Sequence, residues 1–218
     1  MKNPIFEDGQ KVARVDTLPA EALVNRREKS AKMEMTELMR KQSAADFIGQ
    51  LRPGMHLYGF SKGQFSLIDV IDALLAQTGP AEVAISTWTA ASADLGRLAQ
   101  IMTQRQFTNL RFLIDFSFQR RQPSVLQTIR QTYGMDAVRV AKNHAKFILV
   151  KAGPWRLTVR TSMNLNFNPR FEDIDLKDDE QIYTFIDSVL TRIWEQFPSN
   201  PASQTVRQHS FDFSRFAG

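Results

Sequence analysis

The chain has no cysteine among its 218 residues. Disulfides, thiolate metal sites and a cysteine nucleophile are therefore excluded. Histidine is scarce as well, with only His56, His144 and His209. No stretch approaches the roughly 18 apolar residues that a membrane span needs. Runs such as Phe147 to Val150 are strand-sized. Met1 to Gln10 is polar, contains Glu7 and Asp8, and has no apolar signal core. There is no internal repeat and no low-complexity block. These absences lead to the expectation of a soluble, cytoplasmic protein without a membrane partner, and a cysteine-free chain suits a reducing compartment.

What is present is ordinary for a folded protein. Hydrophobic residues make up 43% of the chain, which argues against wholesale disorder. The length allows one well-buried α/β domain with appendages. Lys and Arg outnumber Asp and Glu by 28 to 23, a mild excess that suits a polyanionic partner such as nucleic acid. Many soluble proteins are equally basic and bind none.

Residues 1–18 read as an extended arm. From Ala20 to Leu51 the chain is rich in good helix formers, with Pro19 and Glu21 suited to a helix start. Leu38, Met39, Phe47, Ile48 and Leu51 make an apolar face for this helix. Arg26, Arg27, Lys29, Lys32, Arg40 and Lys41 make the other face basic. Arg52-Pro53-Gly54 stops it. Short strands then alternate with helices of 10 to 13 residues. Strands are expected at His56–Phe60, Glu82–Trp88, Leu110–Phe118, Ala137–Val140, Ala145–Val150 and Trp155–Arg160. Helices are expected at Ser66–Gln77, Ser92–Gln104, Pro123–Thr132 and Asp178–Gln196. The pattern predicts an α/β fold: a mixed, mostly parallel sheet flanked by helices on both faces, with an N-terminal helical extension. The implied division is an arm and basic helix over 1–52, an α/β domain over 53–197 and a tail over 198–218. The tail carries Phe211, Phe213 and Phe216; a frayed end is expected, although aromatics at that spacing also suit docking on a partner subunit.

The sharpest signal lies between residues 143 and 172. Asn143-His144-Ala145-Lys146-Phe147 opens an apolar strand. Ala152-Gly153-Pro154 turns a hairpin, and Thr161-Ser162-Met163-Asn164 follows. Beyond them runs Asn166-Phe167-Asn168-Pro169-Arg170-Phe171-Glu172. Strand alternation puts His144 and Lys146 on one face. This arrangement resembles the His-x-Lys motif and the downstream Gly/Ser-x-Asn of the phospholipase D superfamily, in a branch with a single such motif per chain. The resemblance covers about Met55 to Phe197 as a pattern of elements and is sharp only in 143–172. It implies a metal-independent phosphodiesterase without cofactors. His144 would serve as nucleophile or general acid, Lys146 and Asn164 would bind the phosphate, and Ser162 and Glu172 would support them.

Three features depart from the family pattern. Lys151 stands where an Asp is usual, Thr161 stands where a Gly precedes the Ser, and the stretch leading to Ser-x-Asn is longer. Tyrosyl-DNA phosphodiesterases, which resemble the superfamily, work with His, Lys and Asn alone.

Such enzymes need two His-Lys sets across one pocket, and this chain has one. The resemblance therefore implies a two-fold homodimer with the two copies of His144 facing each other. The expected partner is nucleic acid, DNA before RNA, held by Arg26, Arg27, Lys62, Arg120, Arg121 and Lys151. The alternative is an inactive DNA-binding protein of the same fold, which Lys151 favours. A phospholipase comes third, because no amphipathic membrane-facing segment stands out. Gly59 to Ser66 joins a strand to a helix but lacks the ending of a P-loop. Trp88 and Asp115, at strand ends, read as packing residues.

Overall fold

The computed structural model describes residues 22–27, 34–38, 43–105 and 107–197, the first two segments as backbone only. Its centre is one nine-stranded sheet in the order β2-β1-β3-β9-β8-β7-β4-β5-β6. The middle of the chain follows the hydrophobic pattern closely. Strand β3 (His56–Lys62) leads into α2 (Leu67–Thr78), and β4 (Ala81–Thr87) into α3 (Ser92–Arg105). Ser66 starts α2 with a capping box: its hydroxyl accepts from the Asp69 N–H at 3.3 Å, and Asp69 accepts from the Ser66 N–H at 2.7 Å. Strand β5 (Phe107–Asp115) and β6 (Val138–Ala141) lie parallel to β4 and enclose α4 (Phe116–Arg121) and α5 (Pro123–Tyr133) in sequence. Then come the hairpin β7 (Phe147–Ala152) and β8 (Trp155–Thr161), strand β9 (Phe171–Asp178) and the long α6 (Glu180–Gln196).

The α/β class, the mixed sheet and the flanking helices are as the sequence implies, with three differences in detail. Parallel pairing is confined to β4, β5 and β6; every other neighbour pair is antiparallel. Two of these antiparallel pairs come from β9, unforeseen in the sequence, which enters between β8 and β3 and runs against both. Its sequence, Phe-Glu-Asp-Ile-Asp-Leu-Lys-Asp, alternates, but its charges hide the strand behind a loop-like composition. The expected strand Leu110–Phe118 ends at Asp115, whose carboxylate caps α4 by accepting from the Ser117 N–H at 2.9 Å.

The third difference is the expected helix over Ala20–Leu51. In its place stand β1 (Ala22–Arg27) and β2 (Glu34–Leu38), an antiparallel pair, and the short helix α1 (Ala44–Ile48). Helix propensity is a weak prior that tertiary pairing overrides. Here β1 hydrogen-bonds to β3 and so covers backbone groups that would otherwise form an open sheet edge. Lys29, Lys32, Arg40, Lys41, the arm 1–18 and the tail with His209, Phe211, Phe213 and Phe216 lie outside the described residues.

Strand alternation builds two unequal cores. One face carries Val83, Ile85, Phe112, Ile114, Ile148 and Val150 under the helices α1, α2, α3 and α5. The other carries Ala84, Leu113, Ala141 and Leu149 under Tyr183, Leu190, Ile193 and Phe197 at α6. On this second face Tyr58 of β3 and Phe171 of β9 are still exposed. No described helix is long and apolar enough to cross a membrane.

Candidate active site at the sheet edge

The strand directions gather the chemistry on one rim. The carboxyl ends of β3, β4, β5, β6 and β8 and the amino ends of β7 and β9 share an edge of the sheet. In α/β proteins the strand carboxyl ends are where ligands collect.

His144 and Lys146 sit on this edge, on the segment entering β7. Lys146 Nζ lies 3.3 Å from His144 Nδ1 and donates to the His144 carbonyl at 3.0 Å. His144 is exposed, whereas Lys146 is half-buried. Burial pushes the Lys146 ammonium below its ordinary value, and the Glu172 carboxylate pulls it back up. Lys146 is thus a cation with incomplete hydration, which strengthens its pull on an incoming phosphate. The Thr161 N–H donates to the Lys146 carbonyl at 3.2 Å and ties the end of β8 to this segment.

Ser162 and Glu172 meet beside them, the Ser162 hydroxyl donating to Glu172 Oε2. Asp173 completes the group: its N–H donates to Ser162 Oγ at 3.0 Å, and its carboxylate accepts from the Ser162 N–H at 3.1 Å. Asn164 follows in the segment that crosses back to β4, where the Leu165 N–H donates to Thr87 Oγ1 at 3.2 Å. The Asn164 amide oxygen is buried without a hydrogen-bond partner in the described structure.

Residues to which the sequence reading gave other roles or none surround the His144 segment. Asn143 is buried. Its side-chain amide donates to Ser86 Oγ at 3.0 Å, and its carbonyl oxygen accepts from the Ala145 N–H at 3.1 Å. Its backbone N–H donates to Asp115 Oδ2 at 3.0 Å. Trp88, read as packing, stands with its ring centroid 5.6 Å from that of His144. The Arg121 guanidinium lies 4.2 Å above the same indole and reaches Ser117 Oγ at 3.2 Å. Ser117 in turn donates to Asp115. Asp115 therefore links α4 and the His144 segment in one circuit. Its position at a strand end was visible in sequence; its two partners were not.

The basic residues expected to hold nucleic acid divide by position. Lys62 ends β3 on the active rim, in register with Phe171. Arg120 and Arg121 close α4 on the same rim. Lys151 does not join them. It lies roughly 16 Å along β7 from Lys146, at about 3.3 Å per residue, and pairs with Glu82 at 3.0 Å. Arg26 and Arg27 register with Leu57 and His56, at the end of β3 far from the rim. His56 itself pairs with Asp175 at 2.7 Å, away from the site. Among the described residues no three His, Cys, Asp or Glu side chains converge as a metal site.

No protein-family model and no curated protein matches the sequence. Among solved structures the chain is similar to Nuc, a phospholipase D family member from Salmonella typhimurium. That similarity covers 65% of this chain and 95% of Nuc at 14% identity, with a TM-score of 0.47. Similarity to NucT from Helicobacter pylori covers 60% of this chain and 89% of NucT at 14% identity, with a TM-score of 0.44. Similarity to polyphosphate kinase from Porphyromonas gingivalis covers 69% of this chain but 27% of the kinase, at 14% identity and a TM-score of 0.47.

Proposed function

We propose that this chain is a phospholipase D-type phosphodiesterase that cleaves nucleic acid, DNA before RNA, through a phosphohistidine in a symmetric homodimer. The observation that carries this reading is the rim constellation: exposed His144, a half-buried Lys146 3.3 Å from its ring, and the Ser162–Glu172 pair beside them. Lys146 neutralises phosphoryl oxygens, and the Asn164 amide N–H group is the neutral donor that the resemblance assigns to the phosphate.

In the reaction, Nε2 of one His144 attacks phosphorus and the bond to the leaving nucleoside oxygen breaks. The partner subunit's His144 gives that oxygen its proton. The partner's ring, now basic, takes a proton from water, and the hydroxide releases the first His144 from its phosphoryl group. In the free chain the Lys146 ammonium faces Nδ1, so the ring hydrogen belongs on Nε2, the tautomer of a proton donor. Attack requires the other tautomer. Once an arriving phosphate draws Lys146 off Nδ1, the exposed ring gives its Nε2 proton to water and takes one from water on Nδ1.

The binding-only alternative drew its support from Lys151. With Lys151 paired to Glu82 at the far end of β7, that residue gives no reason to expect lost turnover. The test is incubation with plasmid and single-stranded DNA in EDTA, beside His144→Ala. Cleavage by the wild type alone is expected. Salt-sensitive binding without product at any time would leave a phosphate-binding scaffold and end the catalytic reading.

A further inference from the structure

The described cations divide by whether a carboxylate holds them. Arg97, Arg105, Arg111, Arg156 and Arg160 each pair with one, as do Lys151 and Lys177. On the active rim Arg121 is exposed and pairs with none among the described residues, yet it is held. Its Nη2 group donates to Ser117 Oγ at 3.2 Å and to the Trp88 carbonyl at 3.5 Å, and its Cζ lies 4.2 Å from the centroid of the Trp88 ring. Its Nε and Nη1 donors have no hydrogen-bond partner among the described residues. Asp115 stands behind Ser117, buried, and accepts from the N–H groups of Ser117 and Asn143. That carboxylate fixes the serine and does not reach Arg121 as an ion pair.

We infer, on the nucleic-acid reading given above, that Arg121 seats the phosphate next to the scissile one, so that the substrate is recognised by two consecutive phosphates. The Trp88 ring neighbours both groups, its centroid 5.6 Å from that of His144 and 4.2 Å from Arg121 Cζ. The guanidinium therefore lies within the sum of those two distances from the reacting ring. Consecutive phosphates of one strand advance about 3.4 Å along a helix axis, and farther when the strand is extended. With one phosphate at His144 and Lys146, the next falls within reach of Arg121. Lys142, exposed just after β6, continues the line, because β7, β4, β5 and β6 are successive in the sheet.

Preorganisation separates Arg121 from an ordinary surface arginine. A free guanidinium gives up rotamer freedom when it meets an anion. One already held by a ring and two oxygens gives up little. Guanidinium N–H groups match the oxygens of a phosphate, and such contacts fix the register of a polynucleotide whatever its bases. An isolated phosphodiester at Lys146 leaves Arg121 empty, whereas a polynucleotide fills both.

The test is competition against a labelled oligo-dT, read by fluorescence anisotropy on a His144→Ala background so that no substrate is consumed. The competitors are a thymidine trimer with two phosphates and the same trimer with one linkage made a neutral methylphosphonate. With Arg121 in place, the neutral linkage should weaken the trimer about tenfold, the usual worth of one charge-assisted contact. Arg121→Gln should weaken the two-phosphate trimer by the same factor and leave the one-phosphate trimer nearly unchanged. The salt slope of oligo-dT binding should fall by about 0.7, the share of one phosphate in a single strand. Equal losses on both trimers would make Arg121 a prop for Trp88, and no loss would make it a solvated arginine; either result overturns the inference. If neither oligo-dT nor trimer binds with Arg121 intact, the nucleic-acid reading itself falls. Binding that is indifferent to the number of phosphates sinks this inference alone.

Discussion

At the scale of single residues, the site turns on how Lys146 keeps its proton. Its ammonium titrates below the ordinary lysine value because it is partly buried, and Glu172 opposes the shift. A lysine with a lowered value loses its charge as pH rises through that value, so activity should fall on the alkaline side earlier than for an exposed lysine. Glu172→Gln removes the restoring charge. The alkaline limb of kcat/KM should then move to lower pH, and an unmoved limb would show that Glu172 acts on some other group. Trp88 makes a separate prediction. Its indole contacts both the Arg121 guanidinium and the His144 ring, and without it the imidazole loses a neighbour. Trp88→Ala should lower kcat about ten- to a hundredfold, the range expected from misplacing a reacting group, with KM little changed. Trp88→Phe should restore most of it, and failure of that rescue would assign Trp88 to something other than positioning.

At the scale of elements, the turn after β3 and the segment after β8 depend on each other. Gly63 has φ of +74°, and a Cβ there would stand 2.8 Å from the Pro169 Cα. Gly63→Ala combines an unfavourable backbone with a backbone collision and should cost about 1–3 kcal/mol in thermal unfolding. Activity should fall as well, because the displaced segment carries Asn164; an unchanged melting temperature would refute the coupling. This contact was not readable from sequence, since residues 63 and 169 belong to separate loops. Much else was. Helix α2 announced itself by Leu67, Val70, Ile71 and Leu74 at helical spacing, and the β7–β8 hairpin by Ala152-Gly153-Pro154. The elements that escaped were those decided by partners far along the chain. Strand β9 exists because β3 and β8 both pair with it, and β1 because β3 has a free edge. The site divided in the same way. His144, Lys146, Ser162 and Glu172 were named from the family resemblance, and the fold brings them to one rim, whereas the contacts of Asn143 with Ser86 and Asp115 and of Trp88 with His144 and Arg121 arise only once β4, α4 and β7 are assembled.

At the scale of the whole molecule, one His-Lys set per chain makes the copy number of the assembly a chemical variable. If each active site uses His144 from both subunits, refolding wild type with increasing His144→Ala should reduce activity as the square of the wild-type fraction. A linear decline would mean that each chain works alone. The ion pair between Lys151 and Glu82 has a consequence on this scale too. The two residues face each other across β7 and β4, on the side of the sheet away from the rim, so the position is joinery rather than chemistry. Joinery has no required polarity. Lys151→Asp alone would set two acids against each other, and adding Glu82→Lys would mend the joint with its signs exchanged. A family signature spelled as letters counts Lys151 as the loss of a defining residue. A signature spelled as positions on the active rim is untouched by it.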